Sequence, residues 1–154
     1  MKKVLVVFDT KFGNTEKLAN EIASGINGSG EVETEVININ KLEEYDIAPF
    51  DGVLFGAPIH AFRATSGIKR AVKAAAKKGL DGKLVAAFDT YIAPRHQAKC
   101  AGQIEGELRK RAKGARLFSK RLSSLVDGYE GPLNEAEPAK AQTFGHEFAQ
   151  ELLG

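Results

Sequence analysis

The chain has 154 residues, 43% of them hydrophobic and 27% charged, which supports a folded core and excludes a disordered polymer. Its formal net charge of +2 is too small for the electrostatic footprint of a nucleic-acid-binding protein. No apolar stretch reaches the ~20 residues of a membrane span, and a single cysteine, Cys100, cannot close an internal disulfide.

Val4 to Phe8 is a short, continuous apolar run and reads as a buried strand. Leu18, Ala19, Ile22, Ala23 and Ile26 recur at helical spacing within Glu16–Ile26. Between strand and helix lies Asp9-Thr10-Lys11-Phe12-Gly13-Asn14-Thr15. After the turn at Asn27–Gly30, Glu31–Ile39 alternates apolar and polar residues, as a strand at a sheet edge does. Gly52–Gly56 is a second buried strand, followed by an aperiodic loop over 57–66 and a helix over Ser66–Lys78. Leu84–Phe88 is the next buried strand, with another irregular loop over 89–97. Ala98–Lys113 is expected to be helical, its Gly102 and Gly106 allowing close approach to a sheet. A last strand falls within Ala115–Val126, the Gly128–Pro132 segment is a turn of unassigned role, and Glu137–Leu153 closes the chain as a helix.

Strands and helices alternate about five times, the pattern of an α/β sandwich with a mostly parallel sheet. In such sheets, ligands bind beyond the carboxyl ends of the strands. The loops 9–15, 57–66 and 89–97 all follow strands at that edge and are expected to converge on one site.

The first loop suits a terminal phosphate. A helix N-terminus carries unpaired N–H groups and a partial positive charge. Gly13 lets backbone approach a ligand, and the Thr10 and Thr15 hydroxyls and the Asn14 amide can donate to phosphate oxygens. The alternative is that Asn14 or Thr15 merely caps the helix. The loop lacks the terminal Gly-Lys-Ser/Thr of a nucleotide P-loop and the three spaced glycines of a dinucleotide site. A phosphoacceptor reading of Asp9, Asp51 and Asp89 is disfavoured, because Asp51 precedes the third strand rather than ending it. Cys100 reads as a packing residue in preference to a low-pKa thiol.

Thr10-Lys11-Phe12-Gly13-Asn14-Thr15 resembles the phosphate loop of the flavodoxin family, with Phe12 where a central hydroxyl is usual. The stretches GAPIHAF and FDTYIAPRHQAKCAG resemble that family's two flavin loops, and the likeness runs along essentially the whole chain. It implies a three-layer α/β sandwich with a five-stranded parallel sheet in the order 2-1-3-4-5, formed as one domain over residues 1–154. It implies FMN as cofactor, its phosphate on Thr10–Thr15. The ring would lie between Pro58, Ile59, His60, Ala61 and Phe62 on one side and Asp89, Thr90, Tyr91, Arg95 and His96 on the other. His60, Phe62 and Tyr91 are the candidates for ring contact. A carbonyl from Ile59 to Ala61 would accept from the ring nitrogen protonated on one-electron reduction. Arg63, Arg95 and His96, if close to the ring, would raise the second potential.

The expected role is that of an electron carrier between redox partner proteins, cytoplasmic and monomeric, with no nucleic acid and no metal. The alternatives are an FMN-dependent NAD(P)H or quinone oxidoreductase and a flavin-free binding scaffold. Short loops favour the carrier, because a turnover enzyme needs a roof over its substrate.

Overall fold

The computed structural model describes residues 1–154. Strand β1 (Lys2–Phe8) lies between β2 (Val32–Asn38) and β3 (Gly52–His60), parallel to both. β3 in turn pairs in parallel with β5 (Leu84–Tyr91). A two-residue strand β4 (Arg63–Ala64) folds back on the end of β3 as a hairpin. The far edge is split into β6 (Arg116–Leu117) and β7 (Leu122–Leu125), both parallel to β5. The order is β2-β1-β3-β5-β6, with β7 continuing the last position. The expected strand order is therefore present, but in seven strand segments instead of five.

The split has a local cause. Between the Val85–Leu117 and Phe88–Leu122 pairs, β5 contributes residues 86 and 87 while the edge strand contributes 118 to 121. The extra residues bulge out of the ladder. Phe118 is buried there against Phe144 and Phe148.

Helices cover both faces, which is why β1 and β3 read as unbroken apolar runs. Leu5, Val7, Val53 and Phe55 face α2 (Ser66–Lys78) and α3 (Lys99–Arg111), where they meet Ile68, Val72, Ile104 and Leu108. Val4, Val6 and Leu54 face α1 (Asn14–Asn27) and α4 (Glu137–Leu153), where they meet Leu18, Ile22 and Phe148.

Two expectations need correction. The aperiodic segments are shorter than the sequence suggests, because β3 runs on to His60 and β5 to Tyr91. Gly102 and Gly106 do not serve close packing: a Cβ on Gly106 would meet nothing, and one on Gly102 would only touch the end of Arg121. The close approach lies elsewhere, between α1 and α4. A Cβ on Gly25 would fall 2.0 Å from the Gln142 carbonyl oxygen, and one on Gly145 would fall 2.1 Å from that of Ile22.

Candidate functional site

The loops at the carboxyl ends of the strands enclose an open cleft of about 150 Å³. The first loop supplies Asp9, Thr10, Lys11, Phe12, Asn14 and Thr15 to its wall. Pro58, Ile59, His60 and Thr65 come from the hairpin region, and Thr90, Tyr91 and Ile92 from the end of β5. Val126 and Tyr129 come from a fourth loop, which follows β7.

At the first loop the backbone is set for an anion. Gly13 is the N-cap of α1, at φ 90°, and no side chain caps the helix. The capping alternative for Asn14 and Thr15 therefore does not hold. The Gly13 N–H donates to Thr10 Oγ1 at 2.9 Å, which leaves the Thr10 hydroxyl proton free for a ligand. The amides of Asn14, Thr15 and Glu16 have no partner within the protein. Thr15 is buried and its hydroxyl meets that of Thr90 at 2.9 Å, tying the first loop to β5.

Lys11 is the cation of this wall. Its ammonium donates to Tyr129 Oη at 2.8 Å and lies 5.4 Å from the Phe12 ring centroid. Phe12 and Tyr129 meet edge to face at 5.1 Å. Asn14 Nδ2 donates to the Glu130 carbonyl at 3.2 Å. The turn-rich segment Gly128–Pro132 thus closes over the phosphate loop from the side of the last strand. Its position after that strand was the signal, obscured because the end of the strand could not be placed.

Asp9 is turned inward. Its Oδ2 accepts from the Thr65 hydroxyl at 2.6 Å, and Thr65 Oγ1 also caps α2 by accepting from Ile68 N at 3.1 Å. The hairpin turn consists of Ala61 and Phe62, with φ 48° and 68°. Such a turn normally takes Asn-Gly, so two non-glycine residues here store strain beside the cleft. The hairpin is pinned to α3 by Gln103, which accepts from Ala64 N at 2.7 Å and donates to the Phe62 carbonyl.

Five of the residues expected at the ring do not line the cleft. Ala61 and Phe62 stand at the hairpin tip, where Phe62 is 56% exposed and packs edge-on to His96 at 4.6 Å. Arg95 lies over the outer face of the Phe62 ring, 5.9 Å away. Asp89 is fully buried, with its carboxylate accepting from Ala101 N at 2.8 Å and from the Ser123 hydroxyl. Burial pushes its pKa up to about 6 against those bonds, which act to lower it. Asp89 is thus an anchor for the start of α3. Gly13 shapes the first loop without lining the wall.

Burial also raises the Tyr91 hydroxyl above its ordinary value, with Glu137 adding to the effect. Cys100 is fully buried with Sγ 3.5 Å from the Ala57 carbonyl oxygen, and burial pushes its thiol far up. That excludes the nucleophilic thiolate that a helix N-terminus can otherwise generate.

The donor set fits a phosphorylated planar ligand: open amides and a free hydroxyl proton at one end, His60, Tyr91 and Tyr129 along the rest. A family model described as a flavodoxin domain matches residues 5–123. A flavodoxin of Clostridium saccharobutylicum is 28% identical over 88 residues, 57% of this chain and 55% of its own length. The chain spans about half the length of the curated relatives it matches. Among solved structures, a flavodoxin from the domain Archaea superposes with a TM-score of 0.80 at 19% identity, covering 99% of both chains. Flavodoxin 1 of Bacillus cereus superposes with a TM-score of 0.75 at 26% identity, covering 97% of this chain and 98% of its own. No helix is long and apolar enough to cross a membrane. The chain belongs to the flavodoxin family, whose members bind FMN as cofactor and serve in electron transport.

Proposed function

We propose that this chain is a single-domain, monomeric electron carrier of the cytoplasm that holds FMN non-covalently and passes electrons between protein partners. The observation that carries the reading is the set of unpartnered amides at Asn14, Thr15 and Glu16, the first two belonging to residues that line the cleft with Thr10. Thr10, Gly13, Asn14 and Thr15 would hold the phosphate, and Lys11, steadied by Tyr129, adds a positive charge at the same wall. Pro58, Ile59, His60, Thr90 and Tyr91 would border the ring, with Tyr91 and Tyr129 as flat partners. FMN supplies one-electron redox chemistry when bound; the protein positions it and excludes water from one side. The Thr15–Thr90 bond keeps the phosphate loop and the ring wall in fixed relation.

Absorbance during stepwise reduction of the purified, FMN-supplemented protein tests this. Flavin bands that bleach in two one-electron stages support the carrier. Protein that stays colourless with FMN leaves only a binding scaffold. Steady NAD(P)H oxidation with a quinone marks an enzyme instead.

A further inference from the structure

We propose that the hairpin flank of the cleft is a docking surface for an acidic redox protein, an inference that rests on the carrier reading above. Large apolar side chains exposed on this protein are six, and two of these, Met1 and Leu153, sit at the chain ends. The other four, Phe12, Phe62, Ile92 and Tyr129, all stand at the mouth of the cleft or on the adjoining hairpin. Apolar exposure gathered on one rim marks a contact surface.

The charge on that flank has one sign. Residues 52–80 contain no Asp or Glu, nor do residues 90–104. They bring Arg63, Lys69 and Arg95 around Phe62 and the α2 N-terminus, with Lys99 opening α3. Arg63 and Lys69 line an open depression that shares His60 and Thr65 with the cleft, and Arg95 stands over Phe62. None of these four cations is in an ion pair, whereas Lys3, Arg109, Arg111, Lys120, Arg121 and Lys140 all are. The nearest acids are hydrogen-bonded within the protein: Asp9, in the cleft wall, accepts from Thr65, and the fully buried Asp89 accepts from Ser123 and Ala101. Asp127, which accepts from Asn134, and Glu130 belong to the fourth loop, whose Tyr129 meets Lys11 and Phe12. A partner with a carboxylate-bearing face meets an apolar contact on Phe62 and Ile92, ringed by unpaired cations. Such complementarity steers encounter and fixes orientation.

Two measurements test this without a known partner. In the first, reduced holoprotein is mixed with anionic cobalt(III)–EDTA or cationic hexaammineruthenium(III). Each complex accepts one electron at its metal, which falls to the divalent state, and the protein loses one. The rate with the anion should fall as salt rises and the rate with the cation should increase. An Arg63→Glu/Lys69→Glu variant should react about tenfold more slowly with the anion at low salt. In the second, poly-L-glutamate is titrated into isotope-labelled apoprotein. Amide shifts should centre on residues 60–70 and 92–99 and be lost in the variant. The second measurement reads the surface even if FMN never binds, so failure of the carrier reading stays distinguishable. A rate with the anion that rises or stays flat with salt, or shifts centred instead on the lysines near the end of α2, overturns the proposal.

Discussion

Replacing Asp89 with asparagine should change how stability depends on pH. The carboxyl is fully buried at the junction of β5, β7 and α3, and its pKa stands at about 6 against an ordinary 3.8. Below both values it is protonated folded or unfolded, and above both it is ionised in either state. Between them the native state keeps a proton that the unfolded chain has lost, so stability falls as pH rises through this window. The difference between the two pKa values corresponds to about 3 kcal/mol lost between roughly pH 3.5 and pH 7. In Asp89→Asn the side-chain oxygen can still accept from Ala101 N. The new NH2 faces Ser123 Oγ, which already accepts from Ala98 N and has a second lone pair. Other carboxyls titrate in the same range, so the quantity to read is the difference between variant and wild type, from urea unfolding of apoprotein at each pH. That difference should move in favour of the variant by about 2–3 kcal/mol between acid and neutral pH. A difference that is constant across the range refutes the burial argument.

Gly145→Ala should lower the unfolding free energy by about 2 kcal/mol or more, since the new methyl meets the Ile22 carbonyl at 2.1 Å; a stabilised variant, as helix propensity alone predicts, contradicts the packing. Thr65→Ala removes both the α2 cap and the Asp9 bond, and thermal or urea unfolding should register a loss of about 1–2 kcal/mol. Thr15→Val should weaken FMN about tenfold and riboflavin less, since riboflavin loses only the bracing of the ring wall by Thr90; fluorescence titration with both flavins reads this, and equal losses place Thr15 away from the phosphate.

The buried strands and the phosphate loop were legible because each rests on local pattern, whereas the strand order came from the family resemblance alone. Val4–Phe8 is apolar at every position since both faces of β1 are covered, and Gly13-Asn14-Thr15 opens a helix that announces itself at 18, 19, 22, 23 and 26. The hairpin was not legible: Ala61-Phe62 is a poor sequence for a turn with two positive φ angles, and the fold imposes it by pinning its strands to Gln103. Without that hairpin, Phe62 and Arg95 read as ring neighbours, although they pack on each other outside the cleft. Asp89 follows an apolar strand and looked like a loop acid, because nothing local shows that Ser123, 34 residues on, would meet it. Tyr129 escaped for a similar reason. Its bond to Lys11 spans 118 residues, and the bulge at 118–121 hid where the last strand ends. The glycines that permit close packing, Gly25 and Gly145, match each other only across two helices at opposite ends of the chain.

Calorimetric titration of the apoprotein with FMN and with riboflavin, which differ by the phosphate alone, addresses the anion site most directly. The open amides of α1, the Thr10 hydroxyl and Lys11 should make FMN bind roughly a hundredfold or more tighter than riboflavin. Equal affinities would mean that the first turn of α1 holds no phosphate.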